Sequence, residues 1–439
     1  MSDAGDNKCS GLNRTAEKPG DICLIQNGKI NRGRERDQFM TMPGILQTKL
    51  GSLTLPNPFI LASGPPTASG EMIRRAFRAG WGGAVIKTIH PDGIDIRDLS
   101  PRFAAWKGPK GELLGFENVE LLSKRTVSYW ENEIKEIKHD FPDNLLIASI
   151  MGDTNPATWQ DLAVRVENAG CDAIELNVSC PHGMPEAGVG AAIGQNPDMV
   201  RNLTRIVSEG AGIPVYVKLT PNITDISSSA RAAAEGGADG ISAINTVQCI
   251  LGIDLETFTP VPSINGTSTA GGYSGPAIRP IGQKMVSDIA RAVALPIMGI
   301  GGISRWQDAA EYILLGASAV QVCTAVMWNG YSIIRAMNRG MAEYLSQKGC
   351  HSPDEIQGAA LSRLRPHQAI SRTIRMQPVP PEPGVCSRCG RCVTACQDGG
   401  YDAIRMTTDG LVVDESRCDG CGLCLLVCNT GTITFMIPS

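Results

Sequence analysis

Cys386, Cys389, Cys392 and Cys396 are spaced C-x2-C-x2-C-x3-C, and Cys418, Cys421, Cys424 and Cys428 repeat that spacing 32 residues later. Eight of the 15 cysteines thus crowd into the last 54 residues. Loops of this kind wrap three thiolates around one corner of a cuboidal cluster, while the fourth cysteine of each run reaches the other cluster. The spacing predicts one [4Fe–4S] cluster on Cys386, Cys389, Cys392 and Cys428, and a second on Cys418, Cys421, Cys424 and Cys396. Zinc also takes paired C-x2-C units, but it asks for four ligands per site and not three plus one given twice. Gln397 and Asn429 stand where proline often follows the fourth cysteine, a change that leaves ligation intact.

A second set of polar residues ends apolar runs. Lys87 in "VIKT" and Lys218 in "YVKL" place ammonium groups where burial costs several kcal/mol unless an anion or electron-rich group meets them. Asn177 and Asn245 close the runs "AIELN" and "AIN", followed by Ser179 with Cys180 and by Thr246. Cys180 opens a Gly-rich loop and has four readings: a packed thiol, a metal ligand, a nucleophile or a proton donor. His182 beside it suggests a metal pair or a Cys–His nucleophile, but no further ligand is near in sequence. Cys171, Cys249 and Cys323 read as packed apolar thiols.

The elements that must carry these residues are short apolar runs at 57–64, 83–89, 145–151, 173–179, 215–221, 240–246, 296–302 and 319–325. Between most of them lie amphipathic segments such as "EMIRRAFRAG", "TWQDLAVRVENAG" and "RWQDAAEYILLGA". Eight such units favour a (βα)8 TIM barrel, whose chemistry sits at the C-terminal ends of the strands. An open doubly wound sheet would normally show a G-x-G-x-x-G fingerprint, which "GIGGIS" and "GVGAAIG" do not supply in the right place. Gly301 and Gly302, with Cys323 and Thr324 at the next strand, suit the phosphate corner of a barrel. Taken with the two lysines they point to flavin mononucleotide (FMN), which offers a phosphate and a ring edge that becomes negative on reduction.

Residues 1–42 read as a polar N-terminal extension, 43–348 as the FMN-binding barrel and 349–376 as a connector. Residues 377–439, opening on the Pro-rich "QPVPPEPG", read as a two-cluster [4Fe–4S] ferredoxin-like domain. Charged residues make up 19% and the net charge is -4, which gives no case for nucleic acid or an anionic membrane. No run approaches the roughly 18 apolar residues of a membrane span, and the N-terminus has no apolar leader core. The expected location is cytoplasmic.

The motifs "ELNVSCPHGM", "KLTPNITDI" and "AINTV", together with the cysteine pair, resemble the catalytic subunit of bacterial two-subunit dihydropyrimidine dehydrogenases. They equally resemble the barrel and cluster domain of the single-chain animal enzyme, over about residues 43–435. The resemblance implies a dihydroorotate dehydrogenase-like barrel in which Ser63, Lys87, Thr88, Asn177, Lys218, Asn245, Gly275, Gly301, Gly302, Cys323 and Thr324 contact the flavin. It implies that Asn118, Asn177, Asn245 and Thr246 hold the pyrimidine and that Cys180 is the catalytic acid. An amide side chain donates and accepts, and so matches the alternating N–H and C=O edge of uracil.

The expected reaction is reduction of uracil or thymine, with hydride from reduced FMN to C6 and a proton from Cys180 to C5. The resemblance implies that electrons cross the two clusters from a separate FAD- and NAD(P)H-binding flavoprotein subunit, in a hetero-oligomer. Two alternatives stand beside it. One is a dihydroorotate dehydrogenase-type enzyme, whose substrate carboxylate would call for a cation. The other is an electron-transfer subunit whose barrel is only a scaffold.

Overall fold

The computed structural model describes residues 44–94, 96–153, 155–179, 191–382 and 384–437. The extension 1–42 and Cys180 lie outside the described residues. The described chain divides into two compact units between Leu364 and Arg365, so the stretch read as a connector is shared between them.

In the first unit eight parallel strands close a barrel: β1 (Phe59–Leu61), β2 (Gly83–Val85), β3 (Leu145–Ile150), β4 (Ala173–Asn177), β5 (Val215–Lys218), β6 (Gly240–Ala243), β7 (Ile297–Ile300) and β8 (Ala319–Val322). Each pairs with the next in the chain, and β8 with β1. All eight stand at the expected runs, but each ends before its run does. The overhang leaves the ladder and carries Thr88, Ser179, Asn245, Gly301, Gly302, Cys323 and Thr324. Apolar periodicity continues into these residues because they remain buried or half-buried at the barrel mouth, so it cannot mark where pairing stops.

The outer helices start on side chains that satisfy the first free N–H groups. Ser69, Thr126, Asn155, Asn196 and Asp225 each accept from a backbone N–H two or three residues on, and so fix the helices Gly70–Ala79, Val127–Asp140, Pro156–Asn168, Pro197–Gly210 and Ile226–Glu235. These helices bury an apolar stripe, including Ile73, Trp130, Trp159 and Val207, against the strands.

The barrel interior changes character along its axis. Ile60, Val85, Ile147, Ala173, Tyr216 and Met298 form an apolar layer with Leu50 and Leu55 of the hairpin Thr48–Leu50 and Leu53–Leu55. Tyr216 Oη donates to Leu50 O at 3.0 Å and ties that hairpin to the strands. Because side chains alternate with period two, the residues two steps on from Ala173, Tyr216 and Ala319 are Glu175, Lys218 and Gln321. A packed floor thus gives way to a buried polar layer in one step of the pleat.

A four-stranded antiparallel sheet, in the order Val247–Cys249, Gly271–Ser274, Leu113–Asn118, Phe103–Lys107, is an addition that the sequence reading lacks. Its two segments come from the loops after β2 and β6. The strands are short and Phe103–Lys107 is largely exposed, so no apolar alternation announces them.

The second unit repeats one device. Arg391–Asp398 follows the first cysteine turn and Leu423–Leu426 the second; a hairpin pairs Ile404–Met406 with Leu411–Val413, and the first and last strands of the unit, Gln377–Val379 and Thr434–Met436, pair antiparallel. Gly390 and Gly422 take the left-handed φ values 73° and 83° at matching positions 32 residues apart, the backbone form that folds the chain around a cluster corner. Among the described residues no helix is long and apolar enough to cross a membrane.

Candidate active site and cluster centres

The C-terminal ends of the barrel strands open into a cavity of about 1110 Å³, counting its mouth. Ser63, Lys87, Thr88, Asn177, Lys218, Asn245, Gly275, Gly301, Gly302, Cys323 and Thr324 all line it, as do Asn118 and Thr246. Residues spread over more than 260 positions of sequence therefore meet in one space. Phe103, Phe116 and Ser274 of the antiparallel sheet add part of the wall.

A continuous hydrogen-bond chain crosses the mouth. Ser63 Oγ lies 3.2 Å from Thr88 Oγ1, Asn177 Nδ2 donates to Thr88 Oγ1 at 2.9 Å, and Ser179 Oγ donates to Asn177 Oδ1 at 3.4 Å. Asn245 Nδ2 donates to Ser179 Oγ at 2.8 Å, and Asn245 Oδ1 accepts from Thr246 N–H at 2.8 Å. Asn118 donates to Gly272 O at 2.9 Å and accepts from Glu120 N–H at 3.3 Å. Each of the three amides keeps a second N–H, and Asn118 and Asn245 keep acceptor capacity as well, whereas Asn177 Oδ1 already accepts from both the N–H and the Oγ of Ser179.

The two lysines meet partners that the sequence reading missed. Lys218 Nζ lies 3.4 Å from Glu175 Oε1, and Glu175 Oε2 accepts from Ser242 Oγ at 2.7 Å and Gln321 Nε2 at 2.8 Å. Lys87 Nζ pairs with Glu120 Oε1 at 2.5 Å, and Glu120 Oε2 with Arg102 Nε at 2.5 Å. Protein carboxylates thus meet both buried ammonium groups, so their burial alone does not require a bound anion. An acidic residue inside the apolar strand "AIELN" was the available signal for Glu175; Glu120, four residues from Phe116 in a loop, gave none.

The cavity nevertheless fits a flavin nucleotide. Gln321 lines it and its Oε1, fully buried, has no hydrogen-bond partner among the described residues. Gly302 has φ 71°, and a Cβ there would come within 2.8 Å of Arg279 N, so only glycine leaves the backbone open at the phosphate corner. Burial pushes the Cys323 thiol up to about 11 although Lys218 and Lys87 pull the other way. It is a neutral, packed thiol in the wall.

In the second unit the eight cysteines sort into the two sets expected from the spacing. Cys386, Cys389, Cys392 and Cys428 wall one cavity of about 300 Å³, and Cys396, Cys418, Cys421 and Cys424 wall another of about 320 Å³. Among the described residues no three ligating side chains gather tightly enough for a single ion, whereas four cysteines surround each cavity. Ala403 N–H donates to Cys396 Sγ at 3.3 Å and Arg388 N–H to Cys386 Sγ at 3.4 Å, the donors that stabilise bound thiolates. Burial raises the Cys428 thiol, but hydrogen bonds from Thr430 Oγ1 and the N–H groups of Thr432, Ile433 and Thr430 outweigh it and bring it down to about 6.

Residues 45–345 match the dihydroorotate dehydrogenase family. The chain belongs to that family. Residues 382–435 match the 4Fe-4S dicluster domain. This family member is 40% identical to the NAD-dependent dihydropyrimidine dehydrogenase subunit PreA of Escherichia coli (strain K12), over 86% of this chain and 92% of the relative. It is 38% identical to the chloroplastic dihydropyrimidine dehydrogenase (NADP(+)) of Arabidopsis thaliana, over 73% and 78%. The catalytic subunit of dihydroorotate dehydrogenase B (NAD(+)) of Pyrococcus abyssi is 39% identical, over 72% and 99%. The resemblance read from the motifs is borne out, as are the barrel and the C-terminal cluster domain. The protein is an oxidoreductase that uses FMN and two [4Fe–4S] clusters.

Proposed function

We propose that the protein interconverts uracil or thymine and their 5,6-dihydro forms as the catalytic subunit of an NAD(P)-dependent dihydropyrimidine dehydrogenase. The observation that carries this reading is the convergence of three half-committed amides, Asn118, Asn177 and Asn245, on one cavity with Thr246. Their spare N–H groups, with the remaining acceptor capacity of Asn118 and Asn245, match the alternating edge of a neutral pyrimidine. When bound, FMN supplies the hydride chemistry at C6. Ser63, Lys87, Thr88, Asn177, Lys218, Asn245, Gly275, Gly301, Gly302, Cys323 and Thr324 would hold it, with Lys218 kept in place by Glu175.

Cys180 would supply the proton to C5. A thiol of ordinary acidity, about 8.5, is protonated near neutrality and can donate. A nucleophilic role lacks a target, because the reaction breaks no acyl or phosphoryl bond. Electrons would reach the barrel through the clusters from an NAD(P)H-oxidising flavoprotein subunit, and the E. coli relative is itself named a subunit.

The test is Cys180→Ala with uracil as substrate. The variant should keep flavin, iron and uracil binding while losing on the order of 10²-fold in rate, the usual scale for one proton-transfer group. Cys180→Ser should also be slow, since a hydroxyl is a far weaker acid. A rate near that of the parent would remove Cys180 from the chemistry.

A further inference from the structure

Overall likeness does not separate two substrate classes in this family, the neutral pyrimidines and those with a carboxylate on the ring. The charge inside the cavity does. Among the described residues its charged lining is Lys87, Lys218 and Glu120. Lys218 is matched by Glu175 behind it, at 3.4 Å. Glu120 uses both oxygens, one on Lys87 and one on Arg102, each at 2.5 Å, and its side chain is 12% exposed. Its backbone N–H also donates to Asn118 Oδ1 at 3.3 Å, so the carboxylate is tied to one of the residues offered to the base.

We propose that Glu120 sets substrate class: by neutralising Lys87 and Arg102 it leaves no cation free for a ring carboxylate, and so admits uracil and excludes orotate. The inference rests on the reading of the cavity as a pyrimidine site. A carboxylate on the ring loses its hydration on entry and needs a desolvated cation in return. Here both lysines of the lining already have a carboxylate, and a second anion would share a partly buried space with Glu120, where like charges repel strongly. A neutral base meets neither penalty. Neither the barrel nor the asparagines make this distinction, because both suit any pyrimidine ring.

Equilibrium titrations of the anaerobic, oxidised holoenzyme, read from the flavin absorbance, test this with three ligands: uracil, orotate and the uncharged 6-carboxamide of uracil. The unaltered protein should bind uracil, and should bind the carboxamide at least about tenfold more tightly than orotate, since the two share a shape and differ in charge. Glu120→Gln should tighten orotate by about tenfold or more and leave uracil within a few-fold. Glu120→Asp, which keeps the charge, should still exclude orotate. Equal affinities of orotate and the carboxamide for the unaltered protein would mean exclusion by shape and overturn the proposal, as would a flavin-loaded Glu120→Gln with no gain for orotate. Failure of uracil itself to bind would instead overturn the pyrimidine reading.

Discussion

Lys218 and Glu175 face each other across neighbouring strands with Nζ 3.4 Å from Oε1, and Glu175 is wholly shielded from water. A buried pair of this kind is held together less by net attraction than by what each partner would suffer alone. Ser242 and Gln321 satisfy the second carboxylate oxygen, so the pair is set into the barrel's polar layer and aims the ammonium at the cavity wall.

Removing one member should therefore harm the fold more than removing both. Glu175→Leu or Lys218→Met alone should cost about 3–5 kcal/mol, and the double variant should recover a large part of that loss. Urea unfolding of the three variants measures it. Additive losses would show that the two residues do not act as a pair.

The asparagines should act on the substrate and not on the fold. Asn118→Ala should lower kcat/KM for uracil by about tenfold or more, because a buried base edge would lose a partner, while flavin content stays unchanged. Steady-state rates beside the flavin spectrum check this. Unchanged kcat/KM would take Asn118 out of the substrate site.

Each fourth cysteine should control the opposite cluster. Cys428→Ser should deplete the cluster held by the first run, and Cys396→Ser the one held by the second, each lowering iron from about eight toward about four per chain. Iron analysis with electron paramagnetic resonance distinguishes the two. If Cys428→Ser removed the cluster of its own run, the crossed pairing would be wrong.

Two half-buried thiols should make the unliganded barrel sensitive to alkali. Burial lifts Cys323 to about 11, and burial with the neighbouring Glu117 lifts Cys249 to about 12, against an ordinary 9.0. The folded state holds these protons where the unfolded chain has lost them, so stability falls as pH rises from 9.0 through those values. Urea midpoints of the flavin-free protein should drop over that range, and less steeply for Cys323→Val. Identical pH slopes would show that Cys323 is exposed.

The barrel was legible because each strand lies in a mostly apolar run, and such runs alternate with helical stripes. The grouping of the cysteines was readable from loop length, and the two cavities are lined by the two sets that the crossed scheme names. Residues such as Asn177 and Asn245 stood out as polar side chains closing apolar runs. Glu120 did not, since a glutamate in a polar loop has no periodicity to violate and its meaning lies in Lys87, 33 positions away. Glu175 was visible as a charge in a strand, but only the pairing of β4 with β5 shows that Lys218 is its partner. The antiparallel sheet escaped because strands of three to six residues without a regular alternation of apolar and polar positions leave too little pattern.

Turnover of uracil by the anaerobically purified protein, driven by an artificial low-potential electron donor and followed as formation of 5,6-dihydrouracil, tests the central claim most directly. The account predicts sustained turnover with uracil or thymine, dependent on bound flavin, and little or none with orotate. Turnover of orotate with uracil inert, or a flavin-loaded protein that reduces neither, would contradict it.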